Sequence, residues 1–444
     1  MNGLISASVN TLKGEISVPG DKSISHRALM IGGVAVGPTT IRGLLLGDDV
    51  FRTARALKEM GVKIDRVTDD LWRVYGVGVG GLKEPDRVLD LGNSGTGARL
   101  MMGLVATHPI NVQLTGDESL RTRPMDRIST PLSQMGTQVI ARDNDKMPLT
   151  VIGARLPTPI EYTLPVPSAQ IKSAVLFAGL NTPGQTSVIE TRPSRDHTEL
   201  MLQHFGANLT ITDEAIDRRI ITLTGQPELE GREVFVPGDP SSAAFPLVSA
   251  LLTRESEITI NNVGLNPLRI GLYTTLREMG AKIEIINARQ QAGEPVADLV
   301  VLSSQLRGVT VPAERAPSMI DEYPILAVAA ATAIGQTRMQ GLAELRVKES
   351  NRLSAIADGL IACGVDIEID RDDLIINGSP NSIPGGALIE SRMDHRIAMS
   401  FLVLGMNSKE PIQIDDARHI GTSFPNFTGL MNKLGAKIKE PCQK

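Results

Sequence analysis

The chain has 444 residues, which suits about three ordinary domains or two large ones. Apolar side chains make up 41% and charged ones 21%, a mixture that buries sizeable globular cores. The net charge of −5, the 3% of aromatics and the short longest apolar stretch, Pro324 to Ile334, exclude bulk attraction to nucleic acid, a base-stacking surface and a membrane span.

Met1 to Val9 has neither a basic start nor a long apolar core, so no secretory signal is expected and a cytoplasmic location is. Leu4 to Val9 reads as a spare strand, and Glu15 to Val18 as the opening strand of the first copy. Ser25 to Val36 is an apolar helix, and Thr39 to Leu44 a further strand. Asp48 to Met60 has the apolar spacing of an amphipathic helix, with Asp48 or Asp49 placed to cap it. Val62 to Val67 and Leu71 to Gly76 then form a hairpin. The order is βαβαββ over about 70 residues, the size of one supersecondary unit.

One phrase inside that unit returns along the whole chain. Leu57 to Ile64 is matched by Leu132 to Val139, Leu202 to Leu209, Leu276 to Ile283, Leu360 to Ile367 and Met431 to Ile438. Each has a glycine four residues in, and the glycines are 75, 70, 74, 84 and 71 residues apart. Each reads as a helix stopped by a left-handed glycine and followed at once by a strand. The chain is therefore six copies of one α/β unit. The sixth copy ends before its last strand, and the spare N-terminal strand is the simplest completion. That gives residues 19–232 as one domain of three copies. Residues 1–18 with 233–444 make the other, with crossings near Pro19 and Arg232. Val18-Pro-Gly-Asp-Lys22-Ser23 is echoed by Val236-Pro-Gly-Asp-Pro240-Ser241, as a shared strand-to-helix turn would be.

Helix starts in these copies carry groups suited to anions. They are Lys22, Ser23 and Arg27 in the first copy, Asn93 to Thr96 in the second, Ser168 to Gln170 in the third, and Asp394 to Arg396 in the sixth. Free N–H groups and the helix dipole favour phosphate or carboxylate there, although Ser, Thr and Asn also cap helices without any ligand. Lys22 adds charge to an already positive end, which argues for function. Arg123 follows a strand, and Arg346, Lys348, Glu349 and Arg352 crowd a strand-to-helix junction. Lys348 and Arg352 stand four apart and repel, so a bound dianion is expected to relieve them. Arg396 begins an apolar helix and is expected to face a cleft. Asp321 opens the apolar run to Ile334, as a cap or as a general base, and Glu349 lies among cations. No His/Cys/Asp cluster has metal-ligand spacing, no Walker loop occurs, and His197 and His395 read as structural.

These phrases in combination resemble the enolpyruvyl transferases. The 5-enolpyruvylshikimate-3-phosphate synthases, second bacterial sequence class, are the nearest kind. The resemblance rests on Pro19 to Arg27, Leu91 to Thr96, Arg123-Pro124, Ser168 to Gln170, Ser194 to Glu199, Ala316 to Asp321, Arg346 to Arg352 and Asp394 to Arg396. It implies a two-domain fold with three βαβαββ copies in each domain and the active site in the cleft between them. It also implies enolpyruvyl transfer from phosphoenolpyruvate to shikimate 3-phosphate without metal or other cofactor. By matching positions, Lys22, Ser23, Arg27, Ser168, Ala169, Gln170, Arg195, Asp321 and Lys348 would hold shikimate 3-phosphate. Lys22, Asn93, Gly95, Arg123, Gln170, Arg352 and Arg396 would hold phosphoenolpyruvate. Asp321, Glu349 and Lys22 would move protons. The resemblance further implies glyphosate as an inhibitor and a monomer as the working state.

Two positions depart from the pattern. Thr422 stands where many relatives carry lysine, and Ala169 where the other class has a second serine. The sister enzymes that act on a UDP-amino sugar use a loop cysteine in the first domain. Here the only cysteines are Cys363 in the fifth copy and Cys442 at the tail. A non-catalytic anion-binding repeat protein would lack acids beside its cations, and Asp321 and Glu349 speak against it. A nucleotide-processing enzyme would need a nucleotide site that the sequence does not show.

Overall fold

The computed structural model describes residues 3–215, 218–380 and 383–441; Cys442 lies outside them. The repeated phrase is built as its glycine suggests. Gly61, Gly136, Gly206, Gly280, Gly364 and Gly435 all have φ between 79° and 111°. An L side chain in the left-handed region crowds its own backbone at a cost of roughly 1–2 kcal/mol, so glycine is the residue that fits. In the first copy the Gly61 N–H donates to the Lys58 carbonyl, and the Val62 N–H reaches back to Leu57. The same two bonds recur in the other five copies, for example Gly364 to Ile361 and Val365 to Leu360. This satisfies the last helical carbonyls and buries the leucine against the residue after glycine. Leu57 and Val62 are both buried.

Each copy contributes to a four-stranded sheet. In all six sheets an edge strand lies parallel to its neighbour, which pairs antiparallel on its other side. The helices bury apolar residues such as Leu29, Met101, Leu176, Leu247, Leu326 and Leu402 in the cores. The N-terminal strand Leu4–Ser6 pairs antiparallel with Ile412–Ile414 and with Ile438–Lys439, so it completes the sixth copy.

One assignment from sequence is overturned. The segment Glu15 to Val18, expected as the first strand of the first copy, belongs to the strand Lys13–Ser17, which lies parallel to Glu257–Gly264 in the sheet of the fourth. In exchange, Glu233–Phe235 lies parallel to Pro38–Arg42 in the sheet of the first. Parallel neighbours are joined by long crossovers, so local sequence does not fix which sheet such a strand enters. Both strands lead into the same Val-Pro-Gly-Asp turn, so either suits either sheet.

By its internal contacts the chain divides into two compact units. The early unit comprises Gly20–Val236 with Gln291–Glu294. The late unit comprises Met1–Pro19, Pro237–Gln290 and Pro295–Lys444. Each has its own continuous hydrophobic core. Among the described residues no helix is long and apolar enough to cross a membrane.

Candidate active site

In the early unit the helix Lys22–Gly33 begins after Asp21, whose carboxylate accepts the Ile24 N–H at 2.9 Å. Lys22 and Ser23 are thereby held in the first turn. Lys22 Nζ lies 3.0 Å from Oδ2 of buried Asp49. The sequence suggests Asp48 or Asp49 as the cap of the next helix, but the cap of Asp48–Glu59 is Gly47, with no side-chain bond. Asp49 turns to Lys22 instead, and Asp48 to Arg52 at 2.6 Å. Ion pairing outcompetes capping at both acids.

Arg27 is buried and spans three segments. Its Nη1 donates to the Ser23 carbonyl at 2.9 Å, its Nη2 to Ser173 Oγ at 2.7 Å and its Nε to Thr198 Oγ1 at 2.6 Å. His26 beside it lies 2.8 Å from Thr53 Oγ1 through Nδ1 and 3.3 Å from Ser94 Oγ through Nε2. Burial first, then the charges of Lys22 and Arg27, push its pKa down to about 3, so it is neutral.

Ser94 caps the helix Gly95–Val105, accepting the Gly97 N–H at 3.0 Å. Arg123, nearly buried, is oriented toward this turn by Asn93 and Ser119. Its Nη2 donates to Asn93 Oδ1 at 2.7 Å and Ser119 Oγ at 2.9 Å, and its Nη1 to the Asn93 carbonyl at 3.3 Å. A Cβ on Gly95 would stand 2.8 Å from Arg123 Nη1 and 3.4 Å from Arg99 Nη1. Glycine therefore lets two guanidinium groups approach one helix start. Ser168 caps Ala169–Leu180 in the third copy, with half-buried Ala169 at its first position. Gln170 accepts from Arg99 Nη1 at 2.7 Å and donates to Thr96 Oγ1 at 3.0 Å. Arg195 is half-buried on the loop before the helix His197–His204.

These contacts draw three helix starts of the early unit together: first to second through His26 and Ser94, second to third through Thr96 and Gln170, and first to third through Arg27 and Ser173. Arg99 escaped the sequence reading. Its signal was present, since Arg99 is the one charge in an otherwise apolar helix, four residues after Gly95.

The late unit is built differently. Arg352, fully buried at the start of the helix Arg352–Ala362, is gripped by three acids. Asp394 lies 2.8 Å away, Asp321 3.1 Å and Glu349 2.5 Å. Burial alone would lower the pKa of this guanidinium, but Asp394, Glu349 and Asp321 more than offset it and the net shift is upward. The expected repulsion with Lys348 is thus relieved by carboxylates within the protein. Lys348 itself sits half-buried in the turn before the helix, so the two cations do not share a helical row. Arg346 leaves the cluster, pairing with Asp372 at 3.0 Å near the surface.

Asp321 is not a cap. The helix Tyr323–Ala331 has Glu322 at its cap position without a side-chain capping bond, and the Asp321 carboxylate faces Arg352. Asp394 does cap, accepting the Arg396 N–H at 3.0 Å while also holding Arg352. Arg396, nearly buried, donates through Nη1 to the Asp321 carbonyl at 3.3 Å and lies 3.7 Å from Glu322. Two partners of this cluster, Asp394 and Glu322, had no role in the sequence reading beyond their place in the motifs.

Within each unit, cations gather at helix starts, and in the late unit three acids meet one of them. A family model for EPSP synthase (3-phosphoshikimate 1-carboxyvinyltransferase) matches residues 7–431. The chain belongs to the EPSP synthase family. The 3-phosphoshikimate 1-carboxyvinyltransferase of Paramagnetospirillum magneticum is 61% identical over 427 residues, 96% of each chain. That of Rhodospirillum rubrum is 61% identical over 431 residues, again 96% of each. A solved EPSP synthase from Acinetobacter baumannii superposes with a TM-score of 0.86 at 41% identity, covering 99% of this chain and 100% of its own. Thr422 Oγ1 donates to the His419 carbonyl at 2.7 Å. It also lies 3.5 Å from His395 Nδ1, at the start of the Arg396 helix.

Proposed function

We propose that this chain transfers the enolpyruvyl group of phosphoenolpyruvate to the 5-hydroxyl of shikimate 3-phosphate, releasing phosphate on the way to chorismate and the aromatic amino acids. The observation that carries the reading is the Arg352 cluster. Asp321 and Glu349 both touch one buried guanidinium beside Arg396, in a chain of the EPSP synthase family.

Lys22, Ser23, Arg27, Ser168, Gln170, Arg195 and Lys348 hold shikimate 3-phosphate, with Ala169 providing backbone contact in place of a hydroxyl. Arg123, Arg352 and Arg396 bind the carboxylate and phosphate of phosphoenolpyruvate with paired N–H donors, while Asn93 and Gly95 line the helix start beside them and Gln170 spans the two. A proton delivered by Glu349 or Lys22 to the methylene carbon makes the adjacent carbon electrophilic. The 5-hydroxyl oxygen then bonds to that carbon as Asp321 takes the hydroxyl proton. In the tetrahedral intermediate, cleavage of the bond to the phosphate oxygen and loss of a methyl proton restore the double bond. Glyphosate, carrying a carboxylate and a phosphonate, competes for the phosphoenolpyruvate positions, and the enzyme works as a monomer in the cytoplasm.

A UDP-sugar reading has no support here, because Cys363 is buried and burial pushes its thiol up to about 12. The deciding experiment is a phosphate-release assay with purified protein. Release is expected only when both substrates are present; release from phosphoenolpyruvate with a UDP-amino sugar instead would refute the proposal.

A further inference from the structure

The early unit also buries a second set of charges that the reaction does not consume. Lys172, on the helix Ala169–Leu180, is 1% exposed. Its Nζ lies 3.0 Å from Glu190 Oε2 and 2.6 Å from Glu199 Oε1, and both glutamates are also 1% exposed. Glu190 ends the strand Gln185–Glu190, and Glu199 lies in the first turn of His197–His204. Burying three ionisable side chains is expensive, and apolar residues of the same volume are often no less stable. Such a cluster is weak evidence of stabilisation. What it does to the chain around it is more specific.

All three polar groups of one residue, Ser194, end on this cluster. The Ser194 N–H donates to Glu190 Oε1 at 3.2 Å, and its hydroxyl donates to the same oxygen. Its carbonyl accepts from Lys172 Nζ at 3.1 Å. The next residue is Arg195. On its far side the loop is fastened again, because Thr198 is bonded to Arg27 and, at 2.7 Å, to Ser173. Lys172 and Ser173 thus hold the two ends of the Arg195 loop from adjacent positions on one helix. Ser168 and Gln170 begin that same helix.

We propose that Lys172, Glu190 and Glu199 are positioning residues: a buried brace that immobilises Ser194 and so presets the Arg195 guanidinium for the 3-phosphate of the substrate. This rests on the reading that Arg195 binds that phosphate. Charge suits the task because a neutral brace would hold the Ser194 carbonyl and N–H with weaker bonds. Lys172 stays charged in its buried place: burial works against the ammonium, and Glu199 and Glu190 overcome it, raising its pKa.

The test uses Glu190→Gln, which keeps shape and acceptor but removes the charge, because Lys172→Met strands two buried carboxylates and risks the fold. Dissociation constants for shikimate 3-phosphate and for shikimate, which lacks the phosphate, are measured for wild type, Glu190→Gln, Arg195→Gln and the double variant. Kinetic constants are measured for phosphoenolpyruvate. At metal sites, loss of a partner that orients a ligand costs about 10–100-fold, and on that scale roughly tenfold weaker shikimate 3-phosphate binding is expected for Glu190→Gln. Shikimate affinity, the phosphoenolpyruvate KM and turnover at saturation should stay within about twofold, a split that general destabilisation does not produce. Added to Arg195→Gln, the Glu190 change should cost nothing more. If Arg195→Gln weakens shikimate 3-phosphate and Glu190→Gln does not, the brace has no positioning role. Equal losses on shikimate and its phosphate would also overturn it. If Arg195→Gln itself leaves shikimate 3-phosphate binding intact, the phosphate reading of Arg195 fails and the inference falls with it.

Discussion

The two units fix their helix-start arginines in different ways. In the early unit Arg27, Arg99 and Arg123 bond to hydroxyl, amide and carbonyl oxygens of Ser23, Ser173, Thr198, Gln170, Asn93 and Ser119. Each of these oxygens helps to fix the direction of a guanidinium. In the late unit Arg352 and Arg396 face four carboxylates, Asp321, Glu322, Glu349 and Asp394. Carboxylates held against a cation at this position are groups of the kind that general acid–base chemistry uses. The first arrangement suits holding anions; the second suits moving protons.

The contrast breaks most visibly if proton transfer can be removed without removing binding. Asp321→Asn keeps a hydrogen bond to the 5-hydroxyl but cannot take its proton, so kcat should fall roughly 10²–10⁴-fold with little change in either KM. Steady-state kinetics on both substrates check this, and near-normal turnover would place the base elsewhere. The early unit should show the reverse split. Arg123→Gln removes a charged donor worth roughly 1.5–3 kcal/mol, which corresponds to about a 10- to 150-fold rise in the phosphoenolpyruvate KM.

Gly95→Ala sharpens the same point sterically. Its methyl group would stand 2.8 Å from Arg123 Nη1, so the guanidinium must shift. Overpacking of this kind costs about 1–3 kcal/mol, and the longer glyphosate should feel more of it than phosphoenolpyruvate. The inhibition constant is expected to rise more than KM, with some loss on both; equal shifts would mean that the space beside Gly95 does not discriminate.

The smallest effect is on stability. His26 and His108, both in the early unit, are buried, and burial is the first cause that lowers their pKa values, to about 3 and about 4. The unfolded chain protonates them near pH 6.5, whereas the folded chain resists. Stability is therefore full above pH 6.5 and is lost as pH falls toward the folded values, by about 1.4 kcal/mol per histidine at pH 5.5. Denaturation of wild type and His108→Gln at pH 7 and 5.5 checks the sign: the variant should lose less on acidification.

Much of this was legible in the chain itself, because a left-handed cap demands glycine and a repeated cap demands a repeated fold. Helix starts were equally readable, since Ser94, Ser168 and Asp394 cap as such residues do. Pairing across long crossovers was not, which is why Glu15 to Val18 was assigned to the wrong sheet. Local sequence also could not tell whether Asp49 or Asp321 caps a helix or meets a distant cation, because both uses call for the same residue at the same place. The single lysine in an apolar helix, Lys172, was visible but had no partner until the fold supplied Glu190 and Glu199.

The most direct test of the division between anion binding and proton transfer is exchange of solvent deuterium into the methylene group of phosphoenolpyruvate, followed with shikimate 3-phosphate present. Glu349→Gln should slow this exchange by about 10²-fold or more while the shikimate 3-phosphate dissociation constant stays within about threefold. Arg27→Gln should do the opposite, weakening that binding while the bound complex exchanges at the wild-type rate. Wild-type exchange in Glu349→Gln, or a loss of exchange only in proportion to lost binding, would contradict it.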